Sequence, residues 1–317
     1  MNISEEGFIH RENIVFATFY ILIFIFAVPG NALALWAFFH QSSTSPSKVF
    51  LRHLSVADIS YILILIMRIV YHLFDSYWPF GHVLCKVAGF LFYLNMYCSM
   101  YLMSFISLDR FLAVVLPIRS QSIRKPLYAN VIVGILWMTI IVSMCPILIK
   151  EEAINNTTGI CNKLYLEDTS STALVSTIVA FVLPLTTIVI SYILILWKLR
   201  TVKKQGNRAV RDKAIKMIIL ILMNFLIAFV PYHVNRVIYI TQGHENTATD
   251  ETLGRVNRIT SALTCVSGVL DPVMYFFLNR AYRDKLHQLI QHQQGNSRCF
   301  TQDIEIKETK RKTFKTL

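Results

Sequence analysis

Apolar residues along this chain fall into seven long blocks, Ile14–Phe39, Val49–Phe74, Val83–Leu116, Tyr128–Ile149, Ala173–Trp197, Ala214–Ile240 and Val256–Leu278, separated by short polar stretches. Each block reaches the roughly 20 residues that carry an α-helix across a bilayer. The pattern predicts an all-α membrane protein, a bundle of seven transmembrane helices over residues 14–278. A polar segment, 1–13, precedes it. A short amphipathic helix lying along the membrane, 279–290, and a polar, disordered tail, 291–317, follow it. The third block is long enough to tilt or to run past the bilayer. The first follows Glu5, Glu6 and Glu12 rather than a basic stretch and is too long for the apolar core of a signal peptide, so it reads as a retained helix.

Charge sets the orientation. Lys48 and Arg52 lie between blocks one and two, and Arg119, Arg124 and Lys125 between three and four. Lys198, Arg200, Lys203, Lys204, Arg208, Arg211 and Lys213 lie between five and six, and Arg280, Arg283, Lys285, Arg298, Lys307, Lys310, Arg311, Lys312 and Lys315 follow block seven. Acidic residues (Glu151, Glu152, Glu167, Asp168, Glu245, Asp250, Glu251) gather on the other side. Basic loops stay in the cytoplasm, which places the C-terminus inside and the N-terminus outside. Sequons at Asn2, Asn155 and Asn156 all fall on that outer side as candidate glycosylation sites.

Composition agrees. Only 16% of residues are charged and 54% are hydrophobic, against about 25% charged in a typical soluble chain. The net charge of +12 sits in clusters separated by apolar runs, the asymmetry of a membrane protein rather than of a nucleic-acid binder. There is no G-x-S-x-G, H-E-x-x-H or C-x-x-C, no Gly is followed by Lys, and the loops leave no room for a catalytic domain. These absences argue against an enzyme.

Ionisable side chains inside the blocks cost several kcal/mol unless they face a polar interior. Asp58 lies mid-block two, Asn31 mid-block one, and Asp271 near the end of block seven. Asn95 and Ser99 share a helix face at four-residue spacing, as do Ser267 and Asp271. Asp58, Asn95, Ser99, Ser267 and Asp271 can form an oxygen-rich Na⁺ site, or a polar packing network without an ion. No other cofactor is implied.

The array resembles the rhodopsin-like G-protein-coupled receptor family across roughly residues 14–290. The matching motifs are Gly30-Asn31, Leu54-x-x-x-Asp58, Trp78-Pro-Phe-Gly81 before Cys85, Asp109-Arg110-Phe111, Trp137 with Pro146, Pro184 with Tyr192, Phe229-Val-Pro231-Tyr232 and Asp271-Pro272-Val-Met-Tyr275. Phe111, Phe229 and Asp271 replace the commoner Tyr, Trp and Asn, a combination that looks like the nucleotide (purinergic) and cysteinyl-leukotriene branch. The resemblance implies a plasma-membrane receptor whose partners are an extracellular ligand, a heterotrimeric G protein and arrestin, the last through phosphates on Ser297, Thr301, Thr309, Thr313 or Thr316. It implies that Asp109 and Arg110 hold the third helix closed, that Pro231 and Pro272 permit kinks, and that Phe229, Tyr192 and Tyr275 take part in activation. It also implies a Cys85–Cys161 disulfide, while Cys98, Cys145 and Cys265 read as packing residues and Cys299 as a candidate palmitoylation site. Many receptors of the branch carry a second outer bridge, but no Cys precedes Cys85 or falls between Thr241 and Val256.

On the outer side, Arg68 lies about three turns beyond Asp58. Arg236 shares a helix face with Phe229, Tyr232 and His233, and Arg255 and Arg258 lie near the outer end of block seven. With Tyr71, Tyr93 and Tyr97 they suit a phosphate- or carboxylate-bearing ligand, since Arg binds both through paired hydrogen bonds. The alternative is that each Arg snorkels to lipid headgroups or pairs with Asp250 or Glu251. Phe92 stands where amine receptors of the family carry Asp, and the seventh block has no Lys for a retinal Schiff base. An orphan or constitutively active receptor, and more remotely a transporter or channel, remain as other readings of the same charges.

Overall fold

A computed structural model describes residues 3–40, 45–149, 154, 159–165, 171–201, 208–242, 247–278, 282–289 and 291. The helices are α1 (Ile3–Phe39), α2 (Pro46–Leu73), α3 (Gly81–Val115), α4 (Pro126–Ile149), α5 (Ser171–Thr201), α6 (Arg208–Ala228), α7 (Val230–Gln242), α8 (Thr247–Leu263) and α9 (Ser267–Leu278). Seven spans are long and apolar enough to cross a membrane, the sixth made of α6 with α7 and the seventh of α8 with α9. Helices are the required solution here, because hydrocarbon offers no partner to an open backbone N–H or C=O.

Several boundaries move outward from the hydropathy pattern. Helix α1 begins at Ile3, so most of the expected polar segment 1–13 is helical. Polar residues do not end a helix unless a turn or cap residue does. Likewise α6 begins at Arg208, which puts Arg211 and Lys213 on a helix rather than in a loop. The expected single sixth helix is interrupted at Phe229, between α6 and α7. Pro231 has no N–H to continue the ladder, although Phe229 and His233 still donate to Phe225 and Phe229 at 3.0 and 3.1 Å. The seventh span is interrupted by one 3-10 turn, Thr264–Val266.

Helix α3 is the central post, packing on α2, α4, α5 and α6. One continuous core runs through the bundle, and a satellite cluster of Tyr71, Trp78, Cys85, Ala88, Cys161, Leu164 and Tyr165 sits under the loop 159–165. Exposed Ile135, Met138 and Val142 on α4 and Ile190 and Ile193 on α5 form an apolar exterior that suits lipid rather than water. Residues 282–289 are helical. Tyr282 donates to the Gly30 carbonyl at 3.4 Å and the Lys285 ammonium lies 4.4 Å from the Trp36 ring centre, so this stretch packs back onto α1.

The Cys85–Cys161 disulfide is formed, with Cα atoms 5.8 Å apart. Just inside it, Gly89 lets α3 approach the loop backbone. A Cβ at Gly89 would stand 2.6 Å from the Lys163 carbonyl oxygen. At Gly30 a Cβ would stand 2.6 Å from the Pro272 ring, so α1 and α9 meet only because residue 30 has no side chain. The sequons Asn2, Asn155 and Asn156, Cys299 and the tail hydroxyls lie outside the described residues.

Gly89→Val should force the loop off α3 and lower the melting temperature of the purified protein, at a cost of about 1–3 kcal/mol. Gly134→Ala, with nothing within 4 Å of the added carbon, should leave it unchanged. Equal melting temperatures for wild type and Gly89→Val would remove the close-approach role of Gly89.

Candidate functional site

Arg68 is wholly buried at the outer end of α2, held between α1, α3, α8 and the loop 159–165. Its Nη1 donates to the Tyr20 hydroxyl at 3.2 Å and the Ser261 carbonyl at 3.5 Å. Its Nη2 donates to the Leu164 carbonyl and the Ser261 hydroxyl, both at 3.0 Å. The guanidinium carbon lies 4.7 Å from the ring centres of Phe92 and Tyr165. Every one of these acceptors is neutral, no carboxylate is in ion-pair range of Arg68 among the described residues, and its Nε has no partner. Burial pushes the Tyr165 phenol well above its usual range, so that tyrosine cannot serve as a counter-anion.

A directed hydrogen-bond chain leads away from the cation. Asn13 Oδ1 accepts from His72 Nδ1 at 2.7 Å and from Ser76 Oγ at 2.9 Å. This assigns the His72 proton to Nδ1 and leaves Nε2 to accept from the Tyr165 hydroxyl at 2.6 Å. Tyr165 in turn accepts from Tyr20 at 3.2 Å, and Tyr20 accepts from Arg68. Each bond polarises the next in one direction, which spreads part of the Arg68 charge towards the outer end of α1. Asn257 Nδ2 donates to the Tyr165 carbonyl at 2.8 Å and fixes the loop to α8.

A second cluster lies across Phe92. Tyr232 is 5.8 Å from Phe92 and 5.3 Å from His233, ring centre to ring centre. Tyr93 stacks on Tyr97 at 5.8 Å, and Tyr97 meets His233 at 6.1 Å. Buried Arg236 has Tyr93, Tyr232, Tyr239 and Tyr97 as its electrostatic neighbours. His233 Nδ1 donates to the Phe229 carbonyl at 2.8 Å, which leaves its buried Nε2 as an acceptor without a partner.

The structure therefore brings together Tyr93, Tyr97, Tyr232, His233 and Arg236, with Arg68 on the far side of Phe92. Tyr71 packs against His72 and Trp78, at 5.1 and 6.3 Å, under the loop. Arg258 lies 3.7 Å from Glu12 and within electrostatic reach of His72, and Arg255 lies 3.4 Å from the same carboxylate. The acidic partner considered for these arginines was Asp250 or Glu251. Among the described residues Glu12 reaches both, because α1 extends outward to Ile3, while the side chains of Asp250 and Glu251 lie outside the described ones. Phe92 stood out in the sequence only as the residue in place of the amine receptors' Asp, whereas the contacts of Tyr20, His72, Tyr165, Asn257 and Ser261 carried no signal of their own.

In the middle of the bundle Tyr275 donates to Asp58 at 2.9 Å, Asn224 donates to Asp271 at 2.8 Å, and Asn31 donates to the Gly268 carbonyl at 2.8 Å. Asp271 and Asn95 adjoin Asp58. The Ser99 hydroxyl and one Asp271 oxygen are buried without a partner, while Ser267 donates to the Thr264 carbonyl at 2.8 Å. Two adjacent carboxyls with one unsatisfied Asp271 oxygen fit a small hard cation or a shared proton.

At the inner end, buried Asp109 accepts from Arg124 Nε at 2.8 Å and Nη2 at 3.4 Å, lies 3.3 Å from Arg110, and accepts from Ser47. Arg110 also donates to Ser47. The Asp109–Arg110 pair foreseen from the sequence is thus joined by Arg124 and Ser47. Tyr192 meets the Ser107 hydroxyl at 2.7 Å, and Phe229 packs edge-on against Phe225 at 5.5 Å.

A family model described as "7 transmembrane receptor (rhodopsin family)" matches residues 30–275. The human uracil nucleotide/cysteinyl leukotriene receptor is 47% identical over 285 residues, 88% of this chain and 77% of that receptor. Its mouse counterpart is 47% identical over 88% of this chain and 84% of its own. Human cysteinyl leukotriene receptor 2 is 30% identical over 94% and 88%. The chain belongs to the rhodopsin family of seven-transmembrane receptors, a multi-pass plasma-membrane protein that couples an extracellular ligand to a heterotrimeric G protein and catalyses no reaction of its own.

Proposed function

We propose that the extracellular ligand of this receptor is an anion of the nucleotide or cysteinyl-leukotriene class, and that the G protein is of the inhibitory type. The observation that carries the ligand class is the buried Arg68 charge, surrounded by neutral acceptors and without a carboxylate partner among the described residues. An uncompensated buried charge costs several kcal/mol, and a ligand phosphate or carboxylate removes that cost when it arrives. Arg236 among four tyrosines supplies a second cation at helical register with Tyr232 and His233. The relatives are named for uracil nucleotides and cysteinyl leukotrienes, ligands that both bear such groups.

Binding between the two clusters draws α2, α3 and α7 together through Phe92. Tyr232 and Phe229 lie one helical turn apart in register, on the two sides of the Pro231 break. A shift at the outer cluster therefore reaches the pivot of α6. Opening of the inner face then frees Arg110 from Asp109, and the exposed cation meets the carbonyl end of a G-protein helix. Ligand and G protein favour the same state, so each tightens the binding of the other. The Asp58–Asp271 centre, with Asn95, Ser99 and Ser267, holds Na⁺ in the inactive state. Arrestin engages the tail once Ser297, Thr301, Thr309, Thr313 or Thr316 is phosphorylated, and residues 279–290 lie along the membrane.

At matched surface expression, Arg68→Ala and Arg236→Ala should each raise the half-maximal concentration of uridine diphosphate or of a cysteinyl leukotriene by about 10- to 100-fold, the loss of one or two charged hydrogen bonds. G-protein dissociation in cells reads this out. Unchanged responses in both variants would point to a ligand that is not an anion. The inner lock makes a separate prediction. Asp109→Asn and Arg124→Ala should raise ligand-free signalling about 5-fold or more, whereas Arg110→Ala should abolish stimulated signalling. Wild-type basal activity in both lock variants would show that Asp109 does not restrain this receptor.

A further inference from the structure

The inner ion network ties α3 to α2 and to the loop that follows α3, and it leaves α6 out. Asp109 and Arg110 share Ser47 at the start of α2, and Arg124 joins them from the loop 116–125. The buried side chains described on α6 are apolar, Met217, Ile218, Ile221 and Phe225 among them, with one exception. Asn224 is wholly buried, and its Nδ2 donates to Asp271 Oδ1 on α9 at 2.8 Å. The same Nδ2 lies 3.9 Å from Met103 Sδ on α3. Among the described residues of α6, Asn224 is the side chain that hydrogen-bonds another helix. Its Oδ1 is buried without a partner. Exchanging the amide oxygen and nitrogen would set two acceptors against each other, so the contact with Asp271 decides which way the amide points.

We infer that Asn224 is the restraint on the sixth span: its bond to Asp271 holds α6 against α9 in the closed receptor and breaks when the inner face opens. Asn224 lies inside the break at Phe229, by about 7.5 Å at 1.5 Å per residue. A swing of α6 about that break therefore carries Asn224 off α9. Apolar contacts slide with little loss, because they have no direction. A hydrogen bond is gone once its atoms part by about 1 Å beyond normal length. Breaking it leaves a buried amide and a buried carboxyl each short of a partner, so this one bond weighs on the position of the whole helix. Asn224 acts through Asp271, which makes it a positioning residue. The inference rests on the opening of the inner face in the proposed function, and the ligand class does not enter it.

The test is ligand-free G-protein dissociation in cells expressing the full-length receptor at matched surface density. Asn224→Leu, similar in shape, should raise it about 5- to 10-fold, the loss of one hydrogen bond made only in the closed state. If that variant does not reach the surface, Asn224→Ala removes the same donor without added bulk. Ile218→Ala serves as the comparison, since it removes a buried apolar contact of the same helix. It should lower the melting temperature of the purified protein yet raise ligand-free dissociation less than about 2-fold, because apolar contacts are not directional. Wild-type dissociation in the Asn224 variants would overturn the inference. So would a rise in Ile218→Ala as large as theirs, since any loosening of α6 would then suffice. Asp109→Asn is measured beside them. A rise there with none at Asn224 would leave the opening of the inner face standing without this restraint, and no rise in any variant would overturn both.

Discussion

A guanidinium buried in a low-dielectric bundle is expensive, and the outer half of this receptor is arranged around that expense. Arg68 is fully enclosed and draws on helix, hydroxyl and loop carbonyl acceptors from three directions. Those contacts join α1, α8 and the loop 159–165 to α2. Yet each acceptor is neutral, and hydrogen bonds to neutral groups offset only part of the desolvation of a full charge. The chain through Tyr20, Tyr165 and His72 to Asn13 carries polarisation away from the centre without adding an anion. Among the described residues the outer half is therefore held together by a charge that it does not neutralise, and in the function proposed above a ligand anion relieves that remaining cost.

The inner half shows the opposite arrangement. Asp109 is answered by two arginines and a serine, so the charge there is satisfied in the closed state and loses partners on opening. Between the two ends lie the break at Phe229, the 3-10 turn at Thr264–Val266 and the Asp58–Asp271 pair. Each is a place where the regular helix ladder is interrupted or where two carboxyls lie side by side. Packed helices do not deform continuously, so a small shift at Phe92 and Tyr232 is taken up at these interruptions. A bundle with an under-compensated outer charge and a well-compensated inner one stays closed until something changes the outer balance.

The hydropathy pattern made the seven spans and their direction readable, because lipid imposes length and composition on every crossing helix. The ends were less readable. Glu5, Glu6 and Glu12 looked like the outside of a helix, but α1 runs on through them since nothing there stops it, and this is what brings Glu12 to Arg255 and Arg258. Arg68 and Arg236 stood out as charges inside apolar blocks. Tyr20, His72 and Tyr165 did not, because a tyrosine or histidine at one position says nothing of which distant hydroxyl it will meet. Arg124 was read only as one of several loop cations, and its contact with Asp109 depends on how the loop returns to α3. Charge in the wrong place is visible along a chain, whereas the neutral groups that surround it are visible only in three dimensions.

The most direct test is the melting temperature of the purified receptor, wild type against Arg68→Gln, with uridine diphosphate and with a cysteinyl leukotriene. Gln keeps hydrogen-bonding capacity and removes the charge. If Arg68 is the unanswered cation that the ligand neutralises, at least one of these anions raises the wild-type melting temperature and leaves that of Arg68→Gln unmoved. An equal rise in both proteins, or no rise in either, would contradict the account.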